Sequence, residues 1–443
     1  MTRLGLITLA WLALAPRAAN GQEPLTLERA VDTALSRNAA LHASRSAASE
    51  SAAHVGEARA GAFPRVSFSE SWQRGNQPVF VFGSLLSARQ FGPANLALDA
   101  LNHPDATGFF RASLGVEQLL FDGGRQRSAT AGASIAHEMA IAATDQAAAA
   151  LIVATTETFG RVICADAAGR AAAAAVAAAE EDRTRAERRR DAGMVTDADV
   201  LSLVVHVADL RQREIQAQGD AAVARAELNR LLGAPIEQAV QVVEPASGSA
   251  PASPGPDIAA LLAEAEAARP EMRRAAAAAR LAEVGREGAR AALIPQVVTQ
   301  GAIEMNGTAF NDRASAWLVG GELRWTLSTG GGELARIKAA AEGDARVRAE
   351  RDTVRAAVHV EVISALRRVE TARARQALGH AAVEEARESQ RITRNRFAAG
   401  LAGVNDVLRA STALLDAERN QSSALVDSIV SEAMLRRALG RSR

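Results

Sequence analysis

Apolar and polar residues alternate in four short segments of the chain. In the first, Val66, Phe68 and Trp72 fall on one side, with Arg65, Ser67, Ser69 and Ser71 on the other. In the second, Phe110, Ala112, Leu114 and Val116 oppose Arg111, Ser113, Gly115 and Glu117. In the third, Val297, Ile303 and Met305 oppose Gln300 and Glu304; in the fourth, Trp317, Val319, Leu323 and Trp325 oppose Glu322, Arg324 and Thr326. A period of two predicts strands, because successive side chains leave a strand on opposite faces. Most of the remainder predicts helix. One helix is expected over 27–60 and another over 258–292. The turns LFDGGR (120–125) and STGGGE (328–333) each open a helix of about 65 residues that reverses and returns as one of about 35. Lengths of that order indicate coiled-coil packing rather than a globule.

The reversal is written twice. RRRDAGMVTDADVL (188–201) and NRFAAGLAGVNDVL (395–408) share a register, pairing Arg189 with Arg396, Gly193 with Gly400 and Asp199 with Asp406. The same offset of 207 carries Leu120 to Leu327, Gly123 to Gly330, Leu228 to Leu435 and Gly233 to Gly440. Self-similarity at a fixed spacing marks an internal repeat. Upstream, GAFPRVSF (61–68) aligns with ALIPQVVT (292–299) at an offset of 231, so the first copy holds 24 extra residues between its strands. Residues 75–108, which hold them, are expected to form the larger, outer loop. The domains expected are a signal peptide over 1–21, a first repeat over 22–243, a Pro- and Ser-rich linker over 244–257 and a second repeat over 258–443.

Strands that are apolar on one face suit a barrel wall with lipid outside and water inside. They equally suit a half-buried antiparallel sheet, and alternation alone leaves both open. Four strands cannot close a barrel, for which about eight is the minimum. A membrane-spanning reading therefore requires several copies.

The N-terminus narrows the location. Arg3, an apolar run from Leu4 to Ala15 and the small residues Ala19, Asn20 and Gly21 have the form of a secretory signal. Beyond it no uninterrupted apolar run of membrane-spanning length is seen, so no transmembrane helix is expected. The 51 basic and 51 acidic residues cancel, which gives no bulk charge for nucleic acid. Cys164 is the only cysteine and cannot form an internal disulfide. The seven histidines show no HxxxH spacing, FDGGRQR (121–127) lacks phosphate-loop spacing, and no Ser–His–Asp arrangement emerges. No catalysis, cofactor or metal is expected.

The duplicated order of helix, strand, strand and long hairpin, the LFDGGR turn and the two Gly tips resemble the TolC-like outer membrane efflux proteins. The resemblance runs from LTLERAVDTALSRNAAL (25–41) to LRRALG (435–440). It implies a mainly α chain with a β-barrel portion, three copies of which build a twelve-stranded outer-membrane barrel continued by a periplasmic α-barrel. It implies a homotrimer in outer-membrane lipid, with a periplasmic adaptor and an inner-membrane transporter as partners. The implied function is an exit duct for small molecules; polypeptide cargo of type I secretion is the alternative, and a soluble periplasmic coiled-coil scaffold a remote one. The tips Gly193, Met194, Val195 and Thr196, and Gly400, Leu401, Ala402 and Gly403, would meet the adaptor.

The resemblance also places an aspartate at the Asp406 position on the periplasmic entrance, with Asp199 as its counterpart in the first copy. Both aspartates equally suit simple helix capping, since a carboxylate favours a helix start. A second acidic residue one turn later is frequent in the family, and here that position is Arg409. Arg409 lies three residues from Asp406, so the two share a helix face and are expected to pair. Asp406, Arg409 and Asp199 are the expected gate.

Overall fold

The computed structural model describes residues 24–245 and 257–441. The expected signal and most of the linker, residues 246–256, lie outside the described residues. The first copy runs α1 (Leu27–Arg37), α2 (Ala39–Ala60), β1 (Arg65–Gly75), α3 (Pro78–Ser87), a 3-10 turn (Pro93–Leu96), α4 (Leu98–Asn102), β2 (Thr107–Phe121), α5 (Arg125–Asp191) and α6 (Asp197–Leu232). The second runs α7 (Ile258–Ala268), α8 (Pro270–Ala291), β3 (Gln296–Ala309), β4 (Asp312–Arg324), α9 (Gly332–Ala398) and α10 (Val404–Ala438). The long helices have 67, 36, 67 and 35 residues, close to the lengths expected.

Three expectations need correction. The leading helix of each copy is broken after 11 residues. In the second copy Pro270 forces Arg269 out of helical geometry, to ψ 134°. In the first copy Asn38 holds the matching break at ψ 123° without a proline, and its Nδ2 donates to Leu231 O at 3.0 Å. Secondly, the long connection between β1 and β2 carries helical elements that were not expected, α3, the 3-10 turn and α4. Thirdly, α5 does contain an 18-residue window long and apolar enough to cross a membrane, with mean hydropathy 1.5. Alanine supplies much of this helix's apolar character, and Phe159 and Val162 on it are buried against protein.

The chain divides into two compact units. One holds the described residues of Ala40–Ala150, Gly255–Ala365 and Leu435–Arg443. Its sheet is antiparallel throughout, in the order β1-β2-β3-β4, leaving β1 and β4 as free edges. The register aligns Phe68, Leu114, Ile303 and Trp317 in one row across all four strands. A second row is Val66, Val116, Gly301 and Val319. On the opposite face Ser69, Ser113, Glu304 and Ala316 align. The expected faces are therefore formed. Trp325 falls just past β4, where its Nε1 donates to Leu293 O at 3.1 Å.

Among the described residues nothing covers the apolar face: Phe68 is 69% and Trp317 78% exposed. A half-buried soluble sheet would have packed this face on a core. Glu70 interrupts it, and Arg313 answers with two bonds of 2.8 and 3.1 Å. The guanidinium lies over Phe110 and Phe310, at 5.5 and 4.2 Å from the ring centres. The bend after β2 is capped by Asp122, which accepts from Gly124 N at 3.0 Å and Gln126 N at 2.6 Å. Asp122 thus occupies the place a bound phosphate would take. Helix packing in this unit centres on Ala265, Met272, Val358, Val362 and Leu439. Arg269 is buried beside them and pairs with Glu271 and Glu361 at 3.0 and 2.6 Å.

The other unit holds the described residues of Met1–Ala39, Leu151–Pro254 and Leu366–Met434. Small residues let its helices approach closely: a side chain at Gly160 would collide with Val426. Val176, Ala179, Val207 and Leu210 form one buried cluster. Ala186, Val200, Leu203, Phe397, Val404 and Val407 form another, directly behind the tips.

Candidate functional site

The two tips close with the same backbone bonds. Met194 N donates to Arg189 O at 2.8 Å and Gly193 N to Arg190 O at 2.8 Å. In the second copy Leu401 N donates to Arg396 O at 2.8 Å and Gly400 N to Phe397 O at 3.0 Å. This is the Schellman helix ending, which requires a left-handed residue. Gly193 and Gly400 supply it at φ +75° and +76°. A residue with a Cβ is strained at that φ, so glycine is needed here. Met194 and Leu401 follow at matching places and are 64% and 70% exposed. Val195 and Ala402 are half-buried, while Thr196 and Gly403 are exposed. Each tip thus presents one bare apolar side chain on a rigid turn.

The helices that leave the tips are started differently. Thr196 and Asp199 form a reciprocal capping box, with Thr196 N to Asp199 Oδ2 at 3.0 Å and Asp199 N to Thr196 Oγ1 at 3.3 Å. The Thr196 hydroxyl also donates to Asp199 Oδ2 at 2.7 Å. That hydroxyl, followed by the backbone N–H, holds the Asp199 carboxyl below its ordinary value. In the second copy Gly403 replaces the threonine. Asp406 Oδ2 accepts only Gly403 N, at 3.1 Å.

The expected Asp406–Arg409 pair does not form. Asp406 turns back to the helix start, while Arg409, with Arg396 and Thr393, lines the same shallow groove. Asp199 is outside that groove, so the structure brings together two of the three expected gate residues.

The residue that joins the two tips was not among those expected. Arg189 stacks on the Phe397 ring, 5.1 Å from its centre, and donates to Phe397 O. Its guanidinium also lies against Gly400, where an added Cβ would sit 3.2 Å from the nitrogen. Phe397 is 2% exposed and anchors the buried cluster. The repeat gives no hint of this contact, because Phe397 aligns with Arg190. Behind it, Asp182 pairs with Arg394 at 3.1 Å, and burial pushes the Asp182 carboxyl above its ordinary value.

The chain matches the family model for outer membrane efflux protein over residues 30–234 and 261–441. The outer membrane channel CmeC of Campylobacter jejuni is similar in structure, with a TM-score of 0.80 at 16% identity, over 94% of this chain and 86% of that one. The outer-membrane channel OprN gives a TM-score of 0.77 at 22% identity, over 94% and 89%. The outer membrane protein VceC of Vibrio cholerae gives 0.75 at 18% identity, over 94% and 96%. No protein of curated function matches the sequence.

Proposed function

This chain belongs to the outer membrane efflux protein family, and on that premise we propose that three copies form the exit duct through which an inner-membrane pump discharges small molecules. Serving as an outer-membrane efflux duct is the family's function. The observation that carries it is the four-stranded sheet with two free edges and an uncovered apolar face. Unpaired strand edges are not tolerated in hydrocarbon. Pairing β1 of one copy with β4 of the next removes them, and three copies give twelve strands, above the minimum for closure. The apolar rows then meet lipid, and the serine-rich face lines the lumen.

The two repeats, 22–243 and 258–443, each contribute a strand pair and a helical hairpin in this assembly. The hairpins lie in the periplasm. Gly193 to Thr196 and Gly400 to Gly403 dock the adaptor, with Met194 and Leu401 as its apolar contacts. Asp406, with Arg409 beside it, sets the charge at the periplasmic entrance, and Asp199 serves chiefly as a cap. The matching tips support this, since six near-equivalent turns from three copies suit a ring-shaped partner.

Membrane fractionation and the mass of the detergent-solubilised protein test the assembly. A trimer in the outer membrane is expected, and a soluble monomer would overturn the proposal. Gly400→Glu tests docking: export is expected to fall while trimer level and insertion stay normal.

A further inference from the structure

Helix α3, PVFVFGSLLS, is apolar on two opposite sides. Val81, Ser84 and, just past its end, Ala88 are buried against the sheet. Val79, Phe82 and Leu86 occupy the other side and are 87%, 36% and 50% exposed. A helix apolar all round is ordinarily covered on both sides. Here Phe91 meets Phe82 edge to face at 4.7 Å, and among the described residues nothing else covers Val79 and Leu86.

The side of the sheet on which α3 lies is fixed by its contacts. Phe80 meets Phe109 edge to face at 6.4 Å and lies against Gly75. Phe109 pairs with Gln73, so these residues sit on the face opposite Trp72 and Phe110. Thr308 Oγ1 donates to Gln90 Oε1 at 2.7 Å, and Gln90 Nε2 donates to Asp312 Oδ2 at 3.0 Å. Arg89 turns the chain at φ +57° and donates to Ser315 O at 3.0 Å. The segment is thus pinned to the polar face, at the end of the sheet where β3 turns into β4.

We propose that the Val79–Phe82–Leu86 side of α3 is an interface with the same side of other copies of this chain, and that three such helices make an apolar constriction at the outer mouth of the duct. This rests on the reading above, in which the polar face lines the lumen of a trimer. On that face neither lipid nor a periplasmic partner reaches α3, and the surfaces across the lumen belong to other copies. Bare apolar side chains facing a lumen lose the cost of hydration when they meet. A ring of them also stops ions without any charge, because a narrow apolar passage empties of water.

Two measurements test it in a Cys164→Ser background. Leu86→Cys in isolated outer membranes, treated with a short bis-maleimide, is expected to give covalent dimers, because one thiol per copy joins two copies. Val79→Asp with Leu86→Asp, at exposed positions that support no core, is expected to raise single-channel conductance in planar bilayers by about threefold or more. Channels that conduct alike with and without the aspartates, or copies that fail to cross-link, overturn the constriction while leaving the duct intact. A native protein that forms neither trimer nor channel overturns the duct reading and the constriction with it.

Discussion

Asp199 and Asp406 stand at matching places after the two tips, yet Thr196 engages the first more fully than Gly403 can engage the second. The Asp199 carboxyl titrates below its ordinary value of 3.8 because its ionised form accepts the Thr196 hydroxyl and N–H. A depressed carboxyl contributes stability that is present above the unfolded value and lost as pH falls through the folded one. Thr196→Ala is expected to cost about 1 kcal/mol, as other caps do, and to remove this acid-side dependence. Thermal unfolding of the native protein and the variant across pH 2–5 checks the sign; a dependence unchanged in the variant would place it elsewhere. At Asp406, where only one backbone N–H is engaged, removing the charge should be felt by ions. Asp406→Ala is expected to lower cation preference and to raise conductance less than about twofold, one ring of charge being lost. Arg409→Asp should do the reverse and make conductance sensitive to divalent cations. Planar-bilayer recordings with and without added divalent ions decide; no change in either variant would leave Asp406 as a cap alone.

Between elements, single contacts of two kinds carry the joints. The Arg189–Phe397 stack ties one hairpin to the other behind the tips. A partly buried cation over an aromatic face is worth about 1–2 kcal/mol. Arg189→Ala is therefore expected to raise hydrogen exchange at 397–403 roughly tenfold while the sheet is unaffected. Arg189→Lys should restore little, since an ammonium cannot stack in the same way. Across the sheet, Arg313 reaches Glu70 on the apolar face, with its side chain 8% exposed. Breaking such a pair leaves one charge bare in a medium that solvates it poorly. Glu70→Ala is expected to destabilise the folded assembly by on the order of 3 kcal/mol, and Glu70→Ala with Arg313→Met by much less. Heat resistance of the assembly in detergent measures both. Equal losses would mean that the pair stabilises by its own attraction.

At the scale of the whole molecule, the edges β1 and β4, unpaired among the described residues, would tie the sheet's stability to assembly in the proposed trimer. A sheet completed only by other copies gains stability with their concentration. Unfolding of the β portion in detergent is accordingly expected to move to lower temperature on dilution, while the helical hairpins respond less. How much of this could be read beforehand varied with the range of the interaction. The strand faces, the paired tips and the long helices rest on periods of two and 3.6 and on glycine, all local properties of the chain. Local periodicity does not show the breaks at Asn38 and Arg269. A proline signals one of them, but the other depends on an amide reaching Leu231, 193 residues away. The Arg189–Phe397 stack escaped for the same reason, being a contact across 208 residues that the repeat does not duplicate. The expected Asp406–Arg409 pair gave way to the backbone N–H of Gly403, a partner held at the helix start by the turn itself. The sequence by itself therefore determined the alternation, the duplication and the two reversals, because each follows from neighbours a few residues apart. Only the tertiary structure decided that the apolar sheet face stays uncovered, that α3 lies on the polar face, and which side chains join the tips, because those outcomes depend on which distant surfaces meet.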